Sequence, residues 1–531
     1  MNRRKLLVPT VLAAALFQAS TAYAGARITI VNADAGTGQG FEDATPVAPI
    51  GGNPGTTRGE QALIVFQFAA DLLGSVLESE VEILNEASFQ ALSCTATGGV
   101  LGSSGTNYIF AFNAGPTLPE GALADTWYHS ALGDALAATD LGSANGLPAD
   151  TPDIISRFNG RLGQPGCLTG SGWYFGLDGN TPSNLINFLD VVVHEMAHGL
   201  GFSGFNTLST GAQFQGRQDI YSTFVIDNST GTAWTAMTDA QRAAAAVNDS
   251  HLVFTGTAVK DEAPLALTAG VDDDGNVQLY APTALAQGSS FSHYDTRLTP
   301  NAVMEPFIND SLLAALNLDL TPALFSDIGW QINRGNQFLL DCDTGVPTSV
   351  AGGPIVGANI YGTARATAGG TGDIDVYRDN IRAYVDGLAD DGLLTPAEHA
   401  SVAACFSDEE TELQFEEWGG EAAPEPGDAI PLTNQVPVAG LSGAAGSEVL
   451  YSITVPGGTT GPLSITTTGG SGDVSLLVSF EAEPTTAAAD HRSERPGNNE
   501  TVRVNAPAAG TYYVKLVGVR AYSNVRLQAR Y

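Results

Sequence analysis

The sequence predicts a multidomain protein: a mixed α/β (α+β) domain over residues 25–333, a small helical region over 334–407, an acidic linker over 408–429 and an all-β sandwich over 430–531. Three observations predict it. Strand and helix patterns alternate up to a strongly apolar helical run at Asn184–Phe202. After Trp330 the chain turns Gly/Ala-rich and carries two further helical periodicities. The last hundred or so residues are period-2 segments separated by Gly, Pro and Ser turns, as in a sandwich. At 531 residues the chain is too long for one hydrophobic core.

Met1–Ala24 carries Arg3, Arg4 and Lys5, an apolar run from Leu6 to Phe17, and Ala22-Tyr23-Ala24 before Gly25. That is the pattern of a secretory signal peptide, so the mature chain is expected outside the cell. No later run approaches the roughly 20 apolar residues of a spanning helix, so no membrane insertion is expected. With 22 basic against 57 acidic residues the net charge is −35, which argues against nucleic acid or an anionic membrane as partner. In an oxidising compartment the four cysteines pair most economically as Cys94 with Cys167 and Cys342 with Cys405.

Along the mature chain, Arg27–Asn32 alternates as a strand, and a Gly/Pro-rich loop follows to Arg58. Glu60–Leu77 has an amphipathic helical period, Glu80–Asn85 and Asn107–Phe112 read as strands, and Tyr128–Ala137 holds a short helix. Asp153–Phe158 is the last strand before the apolar helix, and its pattern suits equally a sheet edge where an extended peptide adds a strand and an ordinary internal strand.

Within NLINFLDVVVHEMAHGLGF, His194 and His198 stand four residues apart, so on a helix both imidazoles project from one face, one turn apart. That spacing suits two ligands of one metal ion. Glu195 is rotated off that face, within reach of a water held there, where a general base belongs. Burying two imidazoles and a carboxylate among Leu189, Val191, Val192, Val193 and Met196 is costly without partners, and a metal supplies them.

A catalytic zinc needs a third protein ligand. The compact pattern HExxHxxGxxH would put it at position 204, where Gly204 stands, and no glutamate occurs between Glu195 and Glu262. His251 and His293 are left as candidates before the chain changes character. Around His293 the sequence reads Ser292-His293, then Val303-Met304-Glu305-Pro306, then Leu320-Thr321-Pro322 through Gly329-Trp330. Together with His198-Gly199-Leu200-Gly201-Phe202, these fragments resemble, in order, the leishmanolysin-like metzincins in a bacterial secreted form. The resemblance implies His194, His198 and His293 as zinc ligands, Glu195 as general base and then acid, Met304 as the structural Met-turn, and zinc metalloendopeptidase activity on proteins or peptides. The alternative is an exported zinc-containing adhesion or binding protein without turnover, against which the intact Glu195 speaks.

Between Phe205 and Phe291, Thr238–Ala246 is expected as a helix and Val271–Asn276, VDDDGN, as a tight acidic turn. Alternating carboxylates followed by a glycine make calcium possible there but unsupported, because the later glutamate of an EF-hand loop is missing, and a solvated turn is the favoured reading. Helices are expected at Asp375–Leu388 and Thr395–Cys405, and the acidic stretch from Ser407 to Asp428 as linker. In the final domain, strands are expected at Glu448–Val455, Asp473–Phe480, Thr501–Asn505, Thr511–Val517 and Asn524–Tyr531. The strings VPGG, TTTGGSGDVSLLV and APAAGTYYVKLVG resemble the bacterial pre-peptidase C-terminal domain.

Overall fold

The sheet that carries the functional half is four-stranded and mixed. The computed structural model describes residues 25–531 apart from 310, 420–428, 444–446, 460, 481–483 and 485–488. The signal-peptide stretch therefore lies outside the described residues. Strand β1 (Ile28–Asn32) leads through a loop to helix α1 (Arg58–Val76), and then come β2 (Ile83–Gln90) and β3 (Gly102–Thr106). Helix α2 (Ser130–Ala137), strand β4 (Ile154–Asn159) and helix α3 (Phe188–Leu200) follow. The sheet order is β1-β2-β4-β3, with β3 the antiparallel strand. The strand read at Asp153–Phe158 is thus an inner strand, paired on both sides, and the outer strand beside it is β3.

Helix α1 begins where Thr57 and Glu60 close a reciprocal capping box. It packs on α3, whose thirteen residues are all buried. Phe188, Val192, Val193 and Met196 are completely enclosed, and burial of each contributes about 1.5–3 kcal/mol. Asn187 caps the start of α3 by accepting from the Leu189 and Asp190 N–H groups. Gly201 ends it at φ 134°, and a Cβ there would lie 2.5 Å from Ile328 Cδ1. Helix α3 therefore cannot continue, and the chain turns away beside the imidazoles.

The segment after α3 builds a second small sheet. Its strands β5 (Val225–Asp227), β6 (Leu252–Phe254) and β7 (Val277–Gln278) pair antiparallel, with helix α4 (Asp239–Ala245) between β5 and β6. Directly beyond β7, the Tyr280 N–H donates to the His293 carbonyl at 2.9 Å, so this sheet sets the position of His293. The acidic loop closes on itself, with the Asp272 carboxylate accepting from Asn228 and Asn276. Helix α5 (Thr257–Ala266) and helix α6 (Thr321–Ile328) pack together, and Trp330 Nε1 donates to the Leu200 carbonyl at 2.9 Å, fastening the end of α3.

Cys94 is bonded to Cys167 and Cys342 to Cys405. Helices α7 (Val356–Gly370), α8 (Ile374–Asp390), α9 (Pro396–Ala404) and α10 (Asp408–Trp418) enclose a small core around Ile360, Tyr377, Ile381 and Val402. Helix α7 also packs on α1, where Arg365 pairs with the buried Asp71. Helix α10 occupies the start of the stretch expected as linker. Ser407 caps it, and Asp408, Glu409 and Glu410 in its first turn complement the helix dipole. Residues 420–428 of that stretch are outside the described residues.

The chain forms two compact units, Met1–Gly420 and Glu421–Tyr531. In the second, the two strands expected after residue 510 are one strand, Gly510–Arg530. Its first half pairs with Glu448–Val455 and Ser471–Phe480, and its second half with Val438–Gly443 and Leu463–Thr468. One strand thereby belongs to both sheets of the sandwich. Among the described residues no helix is long and apolar enough to cross a membrane.

Candidate metal centre

Three histidine side chains converge at the cleft. The Nε2 atoms of His194, His198 and His293 form a triangle with all three edges 3.2 Å. Each Nδ1 meets a backbone carbonyl: His194 that of Val303 at 2.7 Å, His198 that of Phe202 at 2.8 Å, and His293 that of Ser289 at 2.8 Å. A carbonyl only accepts, so each Nδ1 carries the proton and donates it. Each neutral ring then presents a bare Nε2 lone pair to the other two. Three acceptors at 3.2 Å with no hydrogen between them repel one another unless a cation is shared. The triangle also has the right size: tetrahedral zinc with bonds of roughly 2.0–2.1 Å holds its ligands roughly 3.3–3.4 Å apart. The three residues fit a zinc ion.

Burial keeps the rings neutral. It pushes His194 down to about 4 and His198 to about 3, and His293 well below the ordinary imidazole value, with the neighbouring imidazoles adding to it for His198 and His293. The Glu195 carboxyl is pushed up to about 8 by burial, against the bond it receives from the Ser104 N–H. A cation on the three nitrogens would draw it back down.

Glu195 is 7% exposed and lies on the floor of a cleft of ≈ 790 Å³. It is lined by β3 with the loop before it, from Gly98 to Ser104, and also by Ser292, Pro306 and Phe307. A Cβ at Gly102 would stand 2.7 Å from Glu195 Cγ, so β3 passes this close only because that residue is glycine. Met304 is fully enclosed, and its carbonyl accepts from the Tyr294 N–H. Its neighbour Val303 supplies the carbonyl that orients His194.

His251 does not join the group. It is exposed, precedes β6, and its Nδ1 meets Asn228 Oδ1 at 2.9 Å. Two features were not legible in the sequence: the wall strand β3, and a buried pair made by His129 Nε2 and Ser203 Oγ at 2.8 Å. The string GSSGT has no apolar alternation to mark a strand. His129 is hidden in WYHSAL, which reads as the start of a helix.

Residues 448–518 match the family model of the bacterial pre-peptidase C-terminal domain. An alkaline serine exoprotease A of Vibrio alginolyticus is 44% identical over 100 residues, 19% of this chain and 18% of that protein. A virulence metalloprotease of Vibrio anguillarum is 41% identical over 104 residues, 19% of this chain and 17% of that protein. A zinc metalloprotease of Helicobacter pylori is 39% identical over 92 residues, 17% of this chain and 35% of that protein. The chain thus spans about a third or less of the length of these relatives. A solved structure described as "Solution structure of vEP C-ter 100" is 38% identical with a TM-score of 0.17, and covers 19% of this chain and 100% of its own. By their names, these relatives include serine and metal-dependent proteases, so the similar segment does not carry a catalytic chemistry.

Proposed function

We propose that the protein is a secreted zinc metalloendopeptidase of the leishmanolysin-like metzincin type. The observation that supports it most strongly is the trio of acceptor nitrogens at 3.2 Å with Glu195 on the same helix, at the floor of an open cleft. His194, His198 and His293 hold the ion, and Met304 belongs to the turn beneath it. A zinc ion bound there supplies a Lewis acid for the scissile carbonyl and acidifies water towards a pKa of about 7. Glu195 takes the proton from the attacking water and passes it to the leaving amine. The substrate lies extended along β3, whose outer edge offers backbone N–H and C=O groups to an added strand.

The test is zinc content and casein hydrolysis on purified protein. One zinc per chain is expected, with activity lost on chelation by 1,10-phenanthroline and restored by zinc. A zinc-loaded protein inert towards casein and other polypeptides would favour the adhesion or binding protein instead.

The close passage of β3 gives a second check. Gly102→Ala pushes a methyl group into Glu195, and a displacement of the base by about 1 Å costs about 10²-fold. Casein hydrolysis should fall by about that factor while zinc content stays at one per chain. Full activity in Gly102→Ala would remove β3 from the working site.

A further inference from the structure

His129 closes the short strand Trp127–His129, immediately before α2. It is 0% exposed, yet only one of its ring nitrogens has a partner: Nε2 meets Ser203 Oγ at 2.8 Å, and Nδ1 meets nothing. Its ring lies on Phe205 with centroids 4.6 Å apart, and Nδ1 faces the turn at Gly201, where an added Cβ would be 3.8 Å away. Neither residue makes a hydrogen bond to it. A buried N–H without an acceptor is rarer in proteins than a bare acceptor, so the ring proton belongs on Nε2, which donates it to Ser203 Oγ. A hydroxyl used in that way as an acceptor keeps its own hydrogen free.

Ser203 is partly exposed and lines the same cleft as His198, Glu195 and His293. It directly follows Phe202, whose carbonyl orients the His198 ring. Its free hydrogen therefore has a rigid mounting beside the metal centre, and the acceptors that every extended peptide brings into such a cleft are backbone carbonyls.

We propose that Ser203, its hydroxyl turned into the cleft by His129, donates a hydrogen bond to a backbone carbonyl of the bound peptide, with His129 as its positioning residue. The proposal rests on the peptidase reading above.

The test uses the zinc-loaded full chain carrying Glu195→Gln, which holds a peptide without cleaving it, and a fluorescein-labelled casein peptide followed by anisotropy. A neutral hydrogen bond corresponds to about a 3- to 10-fold change in binding. Ser203→Ala should raise Kd by that factor, and Ser203→Thr, which keeps the hydroxyl, should stay within about twofold of the parent. His129→Phe, which keeps the ring, should raise Kd equally, and combining it with Ser203→Ala should add nothing further. With Glu195 restored, Ser203→Ala should raise KM and leave kcat within about twofold. An unchanged Kd in Ser203→Ala, or effects of the two substitutions that add, overturns the proposal. If His129→Phe does not fold, the Ala and Thr variants decide alone. Zinc content and casein hydrolysis of the wild type separate the two failures. An active wild type whose Ser203→Ala form binds normally removes only the role of Ser203, whereas a zinc-free or inactive wild type removes the peptidase reading with it.

Discussion

Glu195→Gln should lower casein hydrolysis by about 10³- to 10⁴-fold, near the upper end of what a positioned general base contributes, while zinc stays bound at one per chain. Glutamine keeps the volume and can still receive the Ser104 N–H, but it cannot take a proton from water. The ion should stay, because the three residues that would hold it are imidazoles and none is Glu195. A stability measurement on metal-free protein checks the same residue independently. Burial raises the Glu195 pKa from its ordinary 4.5 to about 8 in the folded chain. A raised carboxyl contributes stability that is complete below the unfolded value and lost as pH rises through about 8. Metal-free wild type should therefore lose stability between about pH 4.5 and 8 more steeply than metal-free Glu195→Gln, and thermal unfolding at pH 5 and 8 reads the difference. Activity above a tenth of wild type in Glu195→Gln would place the base elsewhere, and loss of zinc would make Glu195 a ligand.

How much of this was legible beforehand depended on whether a residue's role follows from its neighbours in sequence. Helix α3 was legible because its apolar residues and the His194, Glu195, His198 spacing share one helical period. Helix α4, with its Thr238 and Gln241 capping box, was legible for a similar local reason. Strand β3 was not. Nothing in Gly102–Thr106 favours a strand except the partner β4, which lies about fifty residues on in the chain. The same blindness left Asp153–Phe158 open between a sheet edge and an internal strand, since the two differ only in neighbours that arrive from elsewhere. Strand β2 runs to Gln90, well past Asn85, with Asn85 and Ser88 buried, so polarity ended the expected strand too early. Acidity misled in the same way at α10, where carboxylates that resemble a solvated linker stabilise a helix N-terminus. The tautomers of the three imidazoles depend on the carbonyls of Val303, Phe202 and Ser289, and only folding brings the first of these to α3.

His293→Ala should abolish both zinc retention and hydrolysis, whereas His251→Ala should leave both within about twofold of wild type. Removing one imidazole leaves His194 and His198 alone, two ligands where a catalytic zinc has three. The loss of affinity should exceed the roughly 10- to 100-fold that loss of an outer hydrogen-bond partner costs, so dialysis against chelator-treated buffer should strip the variant and not the wild type. His251 stands exposed and touches only the side chain of Asn228 among the hydrogen bonds of its ring, and a surface change of that kind shifts stability by no more than about 0.5 kcal/mol. The pair of variants discriminates because both histidines lie between His198 and the change of chain character, and only His293 stands in the Ser292-His293 setting ahead of Met304. In the fold, the sheet of β5, β6 and β7 brings the Tyr280 N–H to the His293 carbonyl and so carries His293 to α3. If His251→Ala lost zinc and His293→Ala kept it, that sheet would have to pair in another register. The reading of the site would then fail at its third ligand, not at the helix.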